Sequence, residues 1–133
     1  MRTGNVVNGV VRKHAEPADS QMPKDQWRLY VFQGEEAVKV LHLHRQSSFL
    51  FGRDETIADV LLAHPSCSKE HAVVQFRLRD GKVKPYIMDL ESTNGTKLNR
   101  VALKSARYVQ LIDGDVISFG EDAEEYVMKF AAT

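Results

Sequence analysis

The sequence predicts an all-β fold, a sandwich of many short strands whose loops at one end carry function. Three observations carry this. Apolar residues recur at every second position rather than at helical spacing. The runs are short and rich in aromatic and β-branched residues. Asp-Gly pairs, a strong signal for tight turns between strands, stand before two of them.

Taken in order, residues 1–24 differ from the rest of the chain. They hold Gly4, Gly9, Pro17 and Pro23 among polar residues, with the valine pairs Val6-Val7 and Val10-Val11. This composition predicts a flexible extension. From Trp27 the pattern turns to strands. WRLYVF (27–32) is aromatic and β-branched, and AVKVLHL (37–43) alternates after a turn at Gly34. SSFLFG (47–52) is apolar and ends on glycine. HAVVQFRL (71–78) places Ala72, Val74, Phe76 and Leu78 on one face, and VKPYIMDL (83–90) comes after the Asp80-Gly81 turn. DVISFG (115–120) comes after Asp113-Gly114, and EYVMKF (125–130) alternates through Tyr126, Met128 and Phe130. The domain is expected over residues 25–131.

The charge balance argues against a nucleic-acid binder. Eighteen basic residues meet eighteen acidic ones, whereas non-specific nucleic-acid binding normally shows a basic excess. The single cysteine, Cys67, cannot form an internal disulfide, which fits a reducing compartment. No run approaches the roughly 18 apolar residues of a membrane span, and the start carries no apolar run of signal-peptide length. No cofactor, no metal, no membrane contact and no direct nucleic-acid contact are expected, and the chain is expected to be a monomer.

Function in a sandwich sits in the loops at strand ends, and three polar clusters stand there. Gly52 and Arg53 lie just past one strand. Ser66, Ser68, Lys69 and His71 precede another. Ser92, Thr93, Asn94 and Gly95 lie just past a third. Arg53 offers a planar, charge-assisted fork to phosphate oxygens. Ser68 and Thr93 offer hydroxyls, Lys69 a compact cation, and Asn94 an amide suited to a peptide backbone; Gly95 permits a sharp turn. His71, at the mouth of an alternating strand, is expected to pin the loop that carries Ser68. Two other readings compete. Ser68 and His71 would be nucleophile and base in an enzyme, but no G-x-S-x-G elbow or glycine-rich oxyanion signature accompanies them. His42, His44, Cys67 and His71 would be metal ligands, but their spacing matches no established zinc pattern.

The ordered set Gly52-Arg53, Ser68-Lys69-Glu70-His71 and Asn94-Gly95 within this strand pattern resembles the forkhead-associated (FHA) domain family. WRLYVF, LHLHRQSSFLFGR, IADVLLAHPSCSKEHAVVQFR and VKPYIMDL are similar to the branch found in pre-mRNA-splicing and small-RNA factors. The resemblance implies an FHA-type β-sandwich of about eleven short strands, and a non-enzymatic phosphothreonine-peptide binding module in a nuclear RNA-processing factor. Its partners would be phosphothreonine-containing proteins of a spliceosomal or RNA-processing complex. It assigns Arg53, Ser68 and Lys69 to the phosphate and Thr93 and Asn94 to phosphate and peptide backbone, with Gly52, His71 and Gly95 shaping the loops. A phosphate-independent interaction scaffold on the same fold is the alternative. Glu91 stands where many members have glycine, and Lys97 where an aromatic is frequent. Peptide selectivity is expected from the loops 54–58, 66–67 and 99–104.

Overall fold

The computed structural model describes residues 6–7 and 9–131. Eleven strands form two sheets packed face to face, and a two-stranded hairpin precedes them. The hairpin joins β1 (Val6–Val7) to β2 (Val10–Val11). One sheet has six strands in the order β10 (Val101–Ala102), β9 (Thr96–Leu98), β12 (Val116–Phe119), β13 (Glu125–Ala131), β3 (Gln26–Gln33), β4 (Glu36–Leu43). The other has five: β11 (Val109–Gln110), β8 (Lys82–Asp89), β7 (Ala72–Arg79), β5 (Ser48–Gly52), β6 (Val60–Leu61). All neighbours are antiparallel except β5 and β6.

Period-two patterning builds the core between the sheets. Leu29 and Val31 of β3, Phe49 and Phe51 of β5, Ala72, Val74 and Phe76 of β7, Ile117 and Phe119 of β12, and Tyr126 and Met128 of β13 point into it. Phe51 stacks on Phe119 at 5.2 Å between centroids, and Tyr126 meets Phe119 edge-on at 5.1 Å. Leu78 and Phe130, expected to continue these faces, lie at the strand ends and are exposed. Phe130 nevertheless packs edge-on against Trp27 at 4.8 Å.

The two Asp-Gly pairs act differently. Asp80 and Gly81 both take positive φ, 53° and 76°, and close the tight β7–β8 hairpin. Asp113-Gly114 does not make a hairpin. It turns the chain from β11 in one sheet to β12 in the other, with Gly114 at φ 90° and Asp115 N–H donating to the Ile112 carbonyl. The strands without a sequence signal, β6, β9, β10 and β11, are two or three residues long, too short for a period to show.

A flexible extension over 1–24 is corrected for residues 12–21, which lie along the five-stranded sheet. Phe76 N–H donates to the Ser47 carbonyl just before β5 begins. Beyond that point residues 19–21 take the place beside β7: Leu78 N–H donates to the Asp19 carbonyl, and Gln21 N–H donates to the Phe76 carbonyl. Arg77 pairs with Asp19 at 2.9 Å and lies over the rings of Tyr108 and Tyr86. Gln75, fully buried on the outer face, bonds His14 and Glu16, and Glu16 also bonds Ser47. The physical reason is that Gln75 and Arg77 need partners on that face, and this segment supplies them. Residues 1–5 lie outside the described residues.

Removing residues 1–21 is therefore expected to leave a folded but weaker domain. The loss of partners for the buried Gln75 corresponds to roughly 1–3 kcal/mol, a fall of about 4–12 °C in Tm. Calorimetry of a chain starting at Met22 measures this, and an unchanged Tm would show that the segment adds no stability.

Candidate functional site

The three predicted clusters meet at one end of the sandwich. The first contact is backbone on backbone. Arg53 N–H donates to the Ser68 carbonyl at 3.0 Å, and Asp54 N–H to the Lys69 carbonyl at 3.3 Å. Gly52 is required by this approach: a Cβ there would stand 1.9 Å from the Lys69 carbonyl oxygen. Arg53 Nε donates to the Cys67 carbonyl at 2.8 Å, which fixes one edge of the guanidinium and leaves its terminal nitrogens for a ligand.

The second link is His71. Its ring is fully buried, edge-on to Phe119. Nδ1 accepts from Ser68 N–H at 3.0 Å, and Nε2 donates to the Gly95 carbonyl at 2.8 Å. One imidazole thus joins the serine loop to the asparagine loop. The arrangement demands the neutral ring protonated on Nε2. Burial lowers its pKa, the bond to Gly95 opposes that, and burial prevails. Both nitrogens being occupied by backbone groups, the ring has no lone pair for the Ser68 hydroxyl, which removes the nucleophile–base arrangement.

The third link is direct. Ser68 Oγ accepts from Thr93 N–H at 3.0 Å, so its own proton is left to donate outward. Asn94 Nδ2 donates to the Ser66 carbonyl at 2.8 Å. Gly95, at φ 83°, turns the chain toward β9, and its carbonyl also accepts from Gly120 N–H. Arg53, Lys69, Thr93 and Asn94 are exposed, and Ser68 is half-buried. The result is a shallow surface of donors above a hydrogen-bonded base.

Several supporting residues carry weaker sequence signals. Asp89 is buried and accepts from Ser92 N–H, Ser92 Oγ, Thr96 Oγ1 and Ser105 Oγ. Burial pushes its carboxyl up, but the bonds from Ser92, Thr96 and Ser105 outweigh burial and leave its pKa below the usual value. The signal was the spacing Asp-x-x-Ser, in which the acid caps the turn three residues on. Ser66 Oγ accepts from Glu121 N–H at 2.8 Å and contacts His64 Nδ1 at 2.7 Å. Asn99 and Arg100, both at positive φ, form the β9–β10 turn, and Asn99 bonds Asp115 and Val116 away from Thr96. Further on, Leu103 N–H donates to the Thr96 carbonyl, and Ser105 Oγ donates to Asp89. The histidines of the metal reading are apart in role: His42 and His44 are exposed on and just after β4, and Cys67 and His71 are buried. Among the described residues, no group of three or more His, Cys, Asp or Glu is placed to hold a metal ion.

Known proteins share both the sequence pattern and the architecture. A sequence profile of the FHA domain matches residues 49–120. The chain is 47% identical to mouse Smad nuclear-interacting protein 1 over 93% of its own length and 35% of that protein. It is 45% identical to the Arabidopsis thaliana FHA domain-containing protein DDL over 93% of its length and 43% of that protein. The chain therefore spans less than half the length of these relatives. The solved structure of the yeast Pml1 splicing factor superimposes with a TM-score of 0.84 at 29% identity, covering 90% of this chain and 98% of that one.

The buried ring of His71 sets a pH expectation. Its folded pKa lies below the roughly 6.5 of an unfolded chain, so the unfolded chain takes the proton first. The contribution is complete above about pH 6.5 and is lost as pH falls through the folded value; His14, also lowered by burial, acts with the same sign. NMR is expected to show the His71 ring titrating below the roughly 6.5 of an unfolded chain. His71→Ala is expected to cost roughly 2–4 kcal/mol by denaturant unfolding. A ring titrating near 6.5, with little loss on substitution, would contradict the assigned role.

Proposed function

Since the chain belongs to the FHA domain family, we propose that the surface of Arg53, Ser68, Lys69, Thr93 and Asn94 binds phosphothreonine peptides within a nuclear RNA-processing complex. The observation that supports this reading is the pre-set donor pattern: the Arg53 guanidinium is held by Cys67 through Nε, and the Ser68 hydroxyl is oriented by accepting from Thr93 N–H. A phosphate of about −1.5 to −2 charge at pH 7 needs such donors with little rearrangement. Asn94, with one amide proton spent on Ser66, keeps its carbonyl oxygen and second proton for a peptide backbone. The cellular setting is drawn from the relatives: one is named a Smad nuclear-interacting protein, and Pml1 is a splicing factor integrated into the RES complex. An FHA domain is a protein-interaction module, and the proposal assigns no catalysis to it.

Two measurements test it. A hydrogen bond to a charged group contributes roughly 1.5–3 kcal/mol, so Arg53→Ala is expected to weaken phosphothreonine-peptide binding about 10- to 150-fold with the fold intact. Arg53→Lys is expected to recover part, because a point charge cannot reproduce the fork. Unchanged affinity by calorimetry would sink the phosphate reading.

Phosphoserine carries the same charge and lacks one methyl group. A methyl seated between the Ser68 and Asn94 loops is worth about 1–3 kcal/mol, and the β-branch reduces the freedom lost on docking. Phosphoserine is therefore expected to bind about tenfold more weakly or worse. Equal affinities in a matched titration would indicate an open electrostatic surface.

A further inference from the structure

Residues 12 and 13 stand where the binding loops reach the outer face of the five-stranded sheet, and they touch all three. The Arg12 guanidinium, on a side chain that is 9% exposed, donates to the Ile57 carbonyl and lies 3.4 Å from Asp59. That is the loop leaving Arg53. Lys13 N–H donates to Glu70 Oε1 at 2.7 Å, on the residue between Lys69 and His71. Lys13 Nζ donates to the Leu90 carbonyl at 3.4 Å, where the asparagine loop leaves β8. Beneath them Leu50, Ile57, Val73 and Leu90 form a separate buried cluster, so the loop bases rest on one small apolar bed.

We propose that Arg12 and Lys13 are positioning residues of the phosphate-reading surface. They clasp the three loops from outside, so that phosphopeptide affinity depends on them as well as fold stability. This rests on the reading of that surface as a phosphothreonine site. The same segment supplies its own control. Its other end, Asp19 on Arg77, holds the segment to β7 and touches none of the three loops. By linkage, a peptide that orders the loops must also order the clasp.

The test uses the full 133-residue chain and three variants: Arg12→Met, Glu70→Ala and, as control, Asp19→Ala. Amide hydrogen exchange is read without ligand, and affinity is read with a labelled pool of peptides holding one phosphothreonine between randomised residues. Arg53, Leu90 and Thr93 N–H, bonded to Ser68 O, His71 O and Ser68 Oγ, report the loops. These amides are expected to exchange about tenfold faster in Arg12→Met and Glu70→Ala, in line with loss of a bond to a charged group. The pool Kd is expected to rise by a similar factor, while Asp19→Ala changes Tm alone. Unchanged exchange, equal acceleration in all three variants, or faster exchange with unchanged Kd would each overturn the proposal. If the parent chain shows no affinity for the pool, the phosphothreonine reading fails by itself, and exchange alone decides whether the clasp orders the loops.

Discussion

One buried imidazole holds this end of the molecule together. His71 spends both ring nitrogens on backbone groups from opposite sides, Ser68 N–H and the Gly95 carbonyl. Its own N–H and carbonyl are spent on the Phe51 carbonyl and the Leu90 amide. Four bonds from one residue thus tie the end of β5, the serine loop, the end of β8 and the asparagine loop. A buried polar group is favourable only when its bonds are complete. Any displacement of one loop therefore leaves an orphaned group inside the protein. That penalty holds the serine loop and the asparagine loop in register, and the direct bond from Thr93 N–H to Ser68 Oγ joins them at the surface.

Asp89 does for the inside of the asparagine loop what His71 does for its rim. It gathers Ser92, Thr96 and Ser105 around one carboxylate without a cation, and it remains ionised because donors replace its lost water. The two anchors are adjacent in the β7–β8 ladder, where Ala72 pairs with Asp89. Gly52 completes the arrangement by subtraction: the absence of a side chain lets the Arg53 backbone reach the Ser68 loop. The donors at the surface are exposed or, for Ser68, half-buried, and each stands on a buried or backbone-bonded base. This division matches the need of a phosphate reader, which must keep its donors wet and their positions fixed.

How much of this was legible in the sequence depends on the length scale of the signal. Strands of five to eight residues announced themselves, β4, β7 and β13 by alternation and β3, β5 and β8 by aromatic, β-branched or apolar runs beside turn signals. The short strands could not, since two residues carry no period. Gly52, Arg53, Ser68, His71 and Asn94 were legible because their types and order restrict one another. The docking of residues 12–21 was hidden because Gly, Pro and polar composition reads as a loose tail. Its complement was in plain view on β7, where Gln75 and Arg77 alternate with core residues, but polar residues on an outer face ordinarily meet water. Asp113-Gly114 was a correct turn signal whose partner strand only the topology reveals.

Glu91 shows how backbone and charge divide at this surface. Its φ is 55°, the left-handed region in which a side chain costs roughly 1–2 kcal/mol. A glycine there, as many FHA domains have, would remove that strain. The strain is tolerated because the residues on both sides are fastened: Leu90 N–H donates to the His71 carbonyl, and Ser92 is held by Asp89. With its neighbours fixed, residue 91 has no freedom to relax, whatever its side chain. The conformation is thus imposed by the anchors, and the side chain is left to set the local charge. On the proposed reading, an exposed carboxylate beside Thr93 and Asn94 would disfavour acidic residues in a bound peptide and favour basic ones. Shape at this site is set by buried bonds, and preference is left to the exposed rim.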